Sequence, residues 1–232
     1  MKFETELIAG KFIKRYKRFF VDAELADGSI VTAHCPNTGS MLGLMEEGAD
    51  VYLSPAADPN RKLKFTLEMI KAQNSWVGVH TGRPNKIVHE ALLAGKVKEM
   101  ADIESIKPEQ KYGTNSRIDL LVQQTSGTPC YVEVKNVTLA EGDVALFPDA
   151  VTSRGAKHLN ELAEEVKKGH RAVMFYLVQR TDCTTFNIAA HIDPTYAETL
   201  KQVMALGVEA VAYHCALSEH EIVLDKPLPI TF

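Results

Sequence analysis

Ala172-Val173-Met174-Phe175-Tyr176-Leu177-Val178 is an apolar run with no polar residue at alternate positions. It is far shorter than the roughly 20 residues needed to cross a bilayer as a helix. A strand of this kind has no face to offer to water, so both its faces must be covered. The chain supplies the cover on either side of the run. Residues 152–168 carry Leu159, Leu162 and Val166 near helical spacing, with Gly169 as the stop. Residues 194–206 form a second helical stretch ended by Gly207, and 208–216 read as a further strand. Upstream, strands are expected near 103–106, 118–123 and 131–137, and an apolar-periodic helix over 86–93 is started by Pro84. The expected class for this half is a mixed α/β (α+β) sheet flanked by helices.

The N-terminal third follows a different pattern. Residues 6–13, 19–25, 29–34, 50–53, 65–72 and 76–80 read as short strands, and Ala26-Asp27-Gly28 is a hairpin signal. Such a series fits a small β-barrel. The change of pattern at Thr81-Gly82-Arg83-Pro84 marks the boundary, giving domains 1–82 and 83–232. The C-terminal stretch 222–232 alternates and contains Pro227 and Pro229, so it is expected at a sheet edge or folded back on the barrel.

Composition restricts function more than fold. A formal charge of −4 over 232 residues gives no global basic field, so nucleic-acid binding would need local patches. One exists: residues 1–20 hold six Lys or Arg against two Glu. The four cysteines (35, 130, 183, 215) include no Cys-x-x-Cys pair, which argues against a zinc knuckle or redox dithiol. Free buried thiols, no apolar leader and no membrane-length apolar run lead to the expectation of a soluble cytoplasmic protein. Oligomeric state is not legible.

The chemistry concentrates in Arg117-Ile118-Asp119 and Tyr131-Val132-Glu133-Val134-Lys135, two strands joined by a turn rich in Thr, Ser, Gly and Pro. Residues two apart in a strand share a face, so Glu133 and Lys135 point together, and Asp119 can face the same pocket from the neighbouring strand. Two carboxylates and an ammonium suit a phosphodiesterase using Mg²⁺ or Mn²⁺, since Mg²⁺ is commonly held by one or two carboxylates with water and phosphate. Asp119, Glu133 and the Val134 carbonyl are the candidate metal ligands. Lys135 is the candidate for holding the attacking water or the developing charge. Glu90, on the helix begun by Pro84, is a further catalytic candidate. The competing readings are a solvent-facing Glu-Val-Lys triplet and a structural ion pair from Asp119 to Arg117 or Lys135. A second constellation, Lys14-Arg15-Tyr16-Lys17-Arg18 followed by Phe19-Phe20, interleaves cations with rings. Cations neutralise phosphates and rings stack on unpaired bases; the alternative is a basic strand whose aromatics point into the barrel. His34, Asn37, Thr38 and Ser40 form a polar loop, read either as a ligand site or as a self-satisfying turn network.

The Asp…Glu-x-Lys pattern resembles the PD-(D/E)XK nuclease motif. Over nearly its whole length the chain also resembles the sugar fermentation stimulation protein A (SfsA) family. The matching segments are Arg15 to Phe19, His34-Cys35-Pro36-Asn37-Thr38-Gly39-Ser40-Met41, Lys111-Tyr112-Gly113, Ser116 to Asp119, Tyr131 to Leu139, and Phe147-Pro148-Asp149-Ala150-Val151-Thr152 with Arg154-Gly155 and Lys157-His158-Leu159. The resemblance implies an OB-like barrel followed by a restriction-nuclease-like domain. It also implies non-specific DNA binding, with RNA left open, and a regulatory link to sugar (maltose) metabolism. In that fold the helix after the Glu-x-Lys strand borders the site, so Arg154, Lys157 and His158, which share a helix face, could grip a phosphate. Otherwise they form a solvated face, with His158 satisfied by a carboxylate. The rival to an active nuclease is a catalytically silent DNA-binding regulator on the same fold.

Overall fold

The computed structural model describes residues 1–113 and 116–231. Strands β1 (Ile8–Tyr16), β2 (Phe20–Leu25), β3 (Ile30–His34), β4 (Asp50–Pro55) and β5 (Phe65–Ala72) are ordered β3-β2-β1-β4-β5. A parallel pairing of β3 with β5 closes them into a barrel, and β6 (Ser75–Gly78) returns antiparallel on β5. Closure needs strongly bent strands, and register shifts supply the bends at Phe12/Lys14 in β1 and at Tyr52/Leu53 in β4. Inward residues, among them Phe12, Val21, Ala33, Leu53, Leu67 and Ile70, fill the interior. This is the small barrel followed by a sheet domain that the strand pattern predicts, and the OB-like barrel that the family resemblance implies.

Helix α1 (Pro84–Leu93) leads out of the barrel into the second sheet. That sheet contains β7 (Ile103–Tyr112), β8 (Ser116–Gln124), β9 (Pro129–Val137), β12 (Arg171–Val178), β14 (Glu209–Leu217) and β15 (Ile222–Pro227). Its order is β15-β14-β12-β9-β8-β7. β12 runs parallel to both its neighbours, while the pairs towards either edge are antiparallel. The double-sided burial of β12 is complete: Val173, Phe175 and Leu177 pack with α1, whereas Ala172, Met174, Tyr176 and Val178 pack with α2 (Ser153–Lys167) and α3 (Pro194–Ala205). Helix α2 is capped by Thr152, whose side chain accepts from the Gly155 N–H at 3.0 Å.

Three strands are not apparent from sequence: β10 (Leu139–Glu141), β11 (Val144–Phe147) and β13 (Thr185–Ile188), which form a small separate sheet. At three or four residues each they are too short to show a period, and β11 pairs with a segment some forty residues away. β7 is longer than expected and runs through Pro108, which an edge strand tolerates. The C-terminal stretch takes the edge option, as β15 beside β14. It is the first residues that leave the barrel. Met1 and Leu7 sit in the sheet-domain core, and Lys2 bridges to Glu221. No helix among the described residues is long and apolar enough to cross a membrane.

Candidate active site

β8 and β9 are paired from Gln123↔Pro129 to Leu120↔Val132, and beyond that pair Asp119 enters the gap between them. Its Oδ2 accepts the backbone N–H of Val134 at 2.7 Å, in place of the next ladder bond. Its Oδ1 accepts from the Asn85 side chain at 2.9 Å. A main-chain donor and a helix side chain therefore fix both oxygens. Asn85 lies in the first turn of α1, which carries Ile87, Val88, Ala91 and Leu92 into the core.

Glu133 is 2% exposed and belongs to the face covered by α2. Its Oε1 accepts from Lys135 Nζ at 2.8 Å and lies in close contact with His158 Nδ1. Nδ1 of His158 is thus the protonated nitrogen, which leaves Nε2 to accept from Arg154 Nε at 3.4 Å. The other oxygen, Oε2, is buried and has no hydrogen-bond partner among the described residues. The result is a polar line from Arg154 through His158 to Glu133, with Lys135 closing from the other side.

The two carboxyls are driven apart in acidity. Burial raises Glu133, but the His158 hydrogen bond and the Lys135 charge outweigh it and hold the group below its ordinary value. Asp119 moves up, first through burial and then through the negative charge of Glu133; its bonds to Val134 and Asn85 offset this only in part. One acid is kept ionised and its neighbour pays for it, an arrangement typical of sites built to receive positive charge.

Whether these residues suit a hard divalent cation is decided by the donors. Two carboxylates lie within electrostatic reach of one another, one oxygen of Glu133 has no partner among the described residues, and Asp119 is held above its ordinary pKa by burial first and then by the Glu133 charge. The set fits a magnesium-type ion, which needs few protein ligands. Among the described residues no group of three or more His, Cys, Asp or Glu side chains is placed to hold a metal. A strand residue presents its N–H and C=O to the same side, so the Val134 carbonyl faces the Asp119 gap as its N–H does.

The structure thus brings Asp119, Glu133, Lys135 and His158 together. It does not bring Glu90, whose carboxylate pairs with the Met1 amino group at 2.8 Å. The α1 residue that reaches Asp119 is Asn85, whose only mark in the sequence is its place directly after the proline that starts the helix. Lys157 donates to Ser116 Oγ at 3.1 Å and Arg154 is exposed beside it, so both lie on the rim. In the barrel, Lys14, Tyr16, Lys17 and Arg18 are exposed around the β1–β2 turn, where Lys17 and Arg18 adopt left-handed φ of 47° and 62°. Phe19 is 48% exposed beside them. Arg15 is occupied otherwise: its Nη2 donates to the carbonyls of Asn37 and Gly39 at 2.8 and 3.0 Å. Asp149 ties the two domains together, accepting from Ser40 Oγ at 2.8 Å and from the Met41 N–H at 3.2 Å.

Two family models match separate stretches of the chain. Residues 13–79 match the model described as the SfsA N-terminal OB domain, and residues 82–221 that described as the sugar fermentation stimulation protein RE domain. A sugar fermentation stimulation protein homolog of Paramagnetospirillum magneticum is 54% identical over 228 residues, covering 98% of this chain and 97% of that protein. The Rhodospirillum centenum homolog is 50% identical over 232 residues, with both chains covered completely. Among solved structures, that of Pyrococcus furiosus SfsA in complex with Ca²⁺ superposes with a TM-score of 0.89 at 26% identity, covering 100% of this chain and 98% of that one. With both of its domains matched and half its residues shared with full-length relatives, the chain belongs to the sugar fermentation stimulation protein (SfsA) family.

Proposed function

We propose that this protein binds nucleic acid through its barrel and hydrolyses phosphodiester bonds at the Asp119–Glu133–Lys135 site with the help of a divalent cation, Mg²⁺ or Mn²⁺. The observation that carries the reading is the Asp119 carboxylate drawn into the strand gap by the Val134 amide, beside an ionised Glu133 with one unspent buried oxygen. Asp119, Glu133 and the Val134 carbonyl would hold the cation, which would supply an activated water and neutralise charge on the phosphate. The chain's own groups do the rest. Asn85 and the Val134 N–H aim Asp119. His158 and Lys135 keep Glu133 ionised at neutral pH. Lys135, which now donates to Glu133, would stabilise negative charge on the phosphate oxygens. That the Pyrococcus furiosus relative is described with Ca²⁺, another oxygen-seeking hard cation, supports the donor set.

Lys14, Lys17 and Arg18 provide sequence-independent phosphate contacts, and Tyr16 and Phe19 offer ring faces to unpaired bases. DNA is the favoured partner, and RNA meets the same surface. The four cysteines are free and buried, which suits a reducing compartment such as the cytoplasm. One observation favours the silent-regulator reading: Lys135 and His158 already satisfy Glu133 Oε1 within the chain. A cleavage assay separates the two, using single- and double-stranded DNA and RNA with Mg²⁺, Mn²⁺ or EDTA. Products that require the cation and vanish in Asp119→Asn support hydrolysis. Equal background in both proteins removes the enzyme and leaves the binder.

A further inference from the structure

A cavity of about 210 Å³ opens where the barrel meets the second domain. Its walls come from segments far apart in sequence: the 37–39 loop, Thr81, the end of β9 and start of β10, and the 146–149 turn. None of these residues takes part in the carboxylate site. Several of its polar groups have hydrogen-bonding capacity left over. Asn37 and Thr138 are each only 6% exposed. Asn37 spends its Oδ1 on the Gly39 N–H at 2.8 Å, and its amide nitrogen has no partner among the described residues. The Asn136 Oδ1 accepts from Gln179 at 2.6 Å, which likewise leaves its amide nitrogen over. Asp149 uses Oδ2 on Ser40 and Met41 and keeps Oδ1. The Thr138 hydroxyl has no partner among the described residues, although its carbonyl accepts from Arg180 at 2.8 Å. These spare donors and acceptors open into one hollow, where an occupant with a matching edge can pair them in place of water.

The chemistry of the lining narrows that occupant. No Lys or Arg borders the cavity and Asp149 is its one charged group, so a phosphate would meet repulsion. Two amide donors, a carboxylate acceptor and a hydroxyl suit a neutral group with both donors and acceptors on its edge. Leu146 and Phe147 add apolar wall for a flat ring. The volume falls below the about 300–1,000 Å³ of drug-sized sites, enough for one ring system and too small for a peptide segment. Placement adds the last constraint. Thr138 lies three residues beyond Lys135 on the same strand path, about 10 Å at 3.3 Å per residue.

We infer that this cavity receives a single unpaired nucleobase from the strand whose phosphate lies at the carboxylate site. The inference rests on the nucleic-acid reading above and adds a substrate class: strands with an unpaired or extruded base, whose removal from the stack costs least where pairing is already broken.

The test is a binding measurement without metal, using Asp119→Asn so that no cleavage intervenes. The probes are a duplex with one unpaired 2-aminopurine and the same duplex with an abasic analogue at that position. The base is expected to tighten binding about tenfold, equivalent to about 1.4 kcal/mol. Thr138→Val, which keeps the shape, and Asn37→Asp, which keeps the acceptor for Gly39, should each bring the two duplexes within about twofold of one another. Thr138→Val, which adds no charge, should not change affinity for the abasic duplex. Equal binding of both duplexes by the parent protein overturns the inference and leaves the nucleic-acid reading standing. Discrimination unchanged in both variants overturns it as well. A rise in melting temperature with a hexose, without base discrimination, overturns it in favour of a sugar site. Loss of affinity for every duplex overturns both readings together.

Discussion

Replacing Asp119 by Asn should separate the cost of the site from its use. The carboxylate is half-buried, lies within reach of the Glu133 charge, and has a pKa above its ordinary value, through burial first and then that charge. A carboxyl raised in the folded state binds its proton more tightly there than in the unfolded chain. Stability therefore falls as pH rises through the folded value, and at pH 7 the ionised group is a net cost. Each unit of such a shift corresponds to about 1.4 kcal/mol. The amide keeps both present contacts: its oxygen accepts from Val134 N–H, and Asn85 turns its own amide to offer oxygen to the new NH₂. Without metal, Asp119→Asn should thus be as stable as the parent or more stable by on the order of 1 kcal/mol. With a divalent cation at a hundred times its Kd, the parent gains about 2.7 kcal/mol. At about 2–4 °C per kcal/mol for a chain of this size, that is a rise of roughly 5–11 °C in Tm. The variant should show almost none of that rise. Thermal melts at pH 7 in EDTA and in Mg²⁺ or Mn²⁺ measure both quantities. A metal-free loss above about 2 kcal/mol, or a full cation-dependent rise in the variant, would refute the reasoning.

Four further outcomes follow from contacts described above. His158→Gln weakens the group that holds Glu133 low; because a depressed carboxyl stabilises above its unfolded value of 4.5 and loses that stability as pH falls through the folded value, the acid-unfolding midpoint should move to higher pH in the variant, read by circular dichroism. Asn85→Ala should weaken cation affinity about 10–100-fold by freeing Asp119, whereas Glu90→Gln should leave it unchanged, both measured by titration calorimetry. Lys17→Ala with Arg18→Ala should weaken DNA binding alike on all sequences and lower the salt slope by about 0.9 per lost phosphate contact, with stability kept within about 0.5 kcal/mol. Arg15→Ala should instead cost about 1–3 kcal/mol in urea denaturation, since it leaves the Gly39 carbonyl without its donor and the Asn37 carbonyl with only the weak Cys35 thiol.

The parts of the site legible in sequence are those fixed by local geometry. Period-two alternation places Glu133 and Lys135 together, and the hairpin brings Asp119 to the facing strand. The double-sided apolar run of β12 likewise announces the layers around it. What escapes the sequence depends on how elements dock. Helical phase shows that Ile87, Val88, Ala91 and Leu92 face inward, yet whether the first turn or the second reaches Asp119 is set by the seating of α1, and so Asn85 takes the place expected of Glu90. The His158–Glu133 contact joins residues 25 positions apart on a helix and a strand; a one-residue change in helix phase would undo it. The 34–41 loop is self-satisfying only in part: Asn37 caps Gly39 locally, but Ser40 reaches Asp149, 109 residues away.

That last contact has a mechanical meaning. Asp149 lies a few residues before α2, the helix that bears His158, so the barrel loop and that helix are anchored to one short turn. The two halves consequently cannot swing independently as beads on a flexible tether would. Under the proposed function, a strand gripped by one would be presented to the other at a fixed reach, the second encounter would be intramolecular, and two weak holds would multiply instead of merely adding.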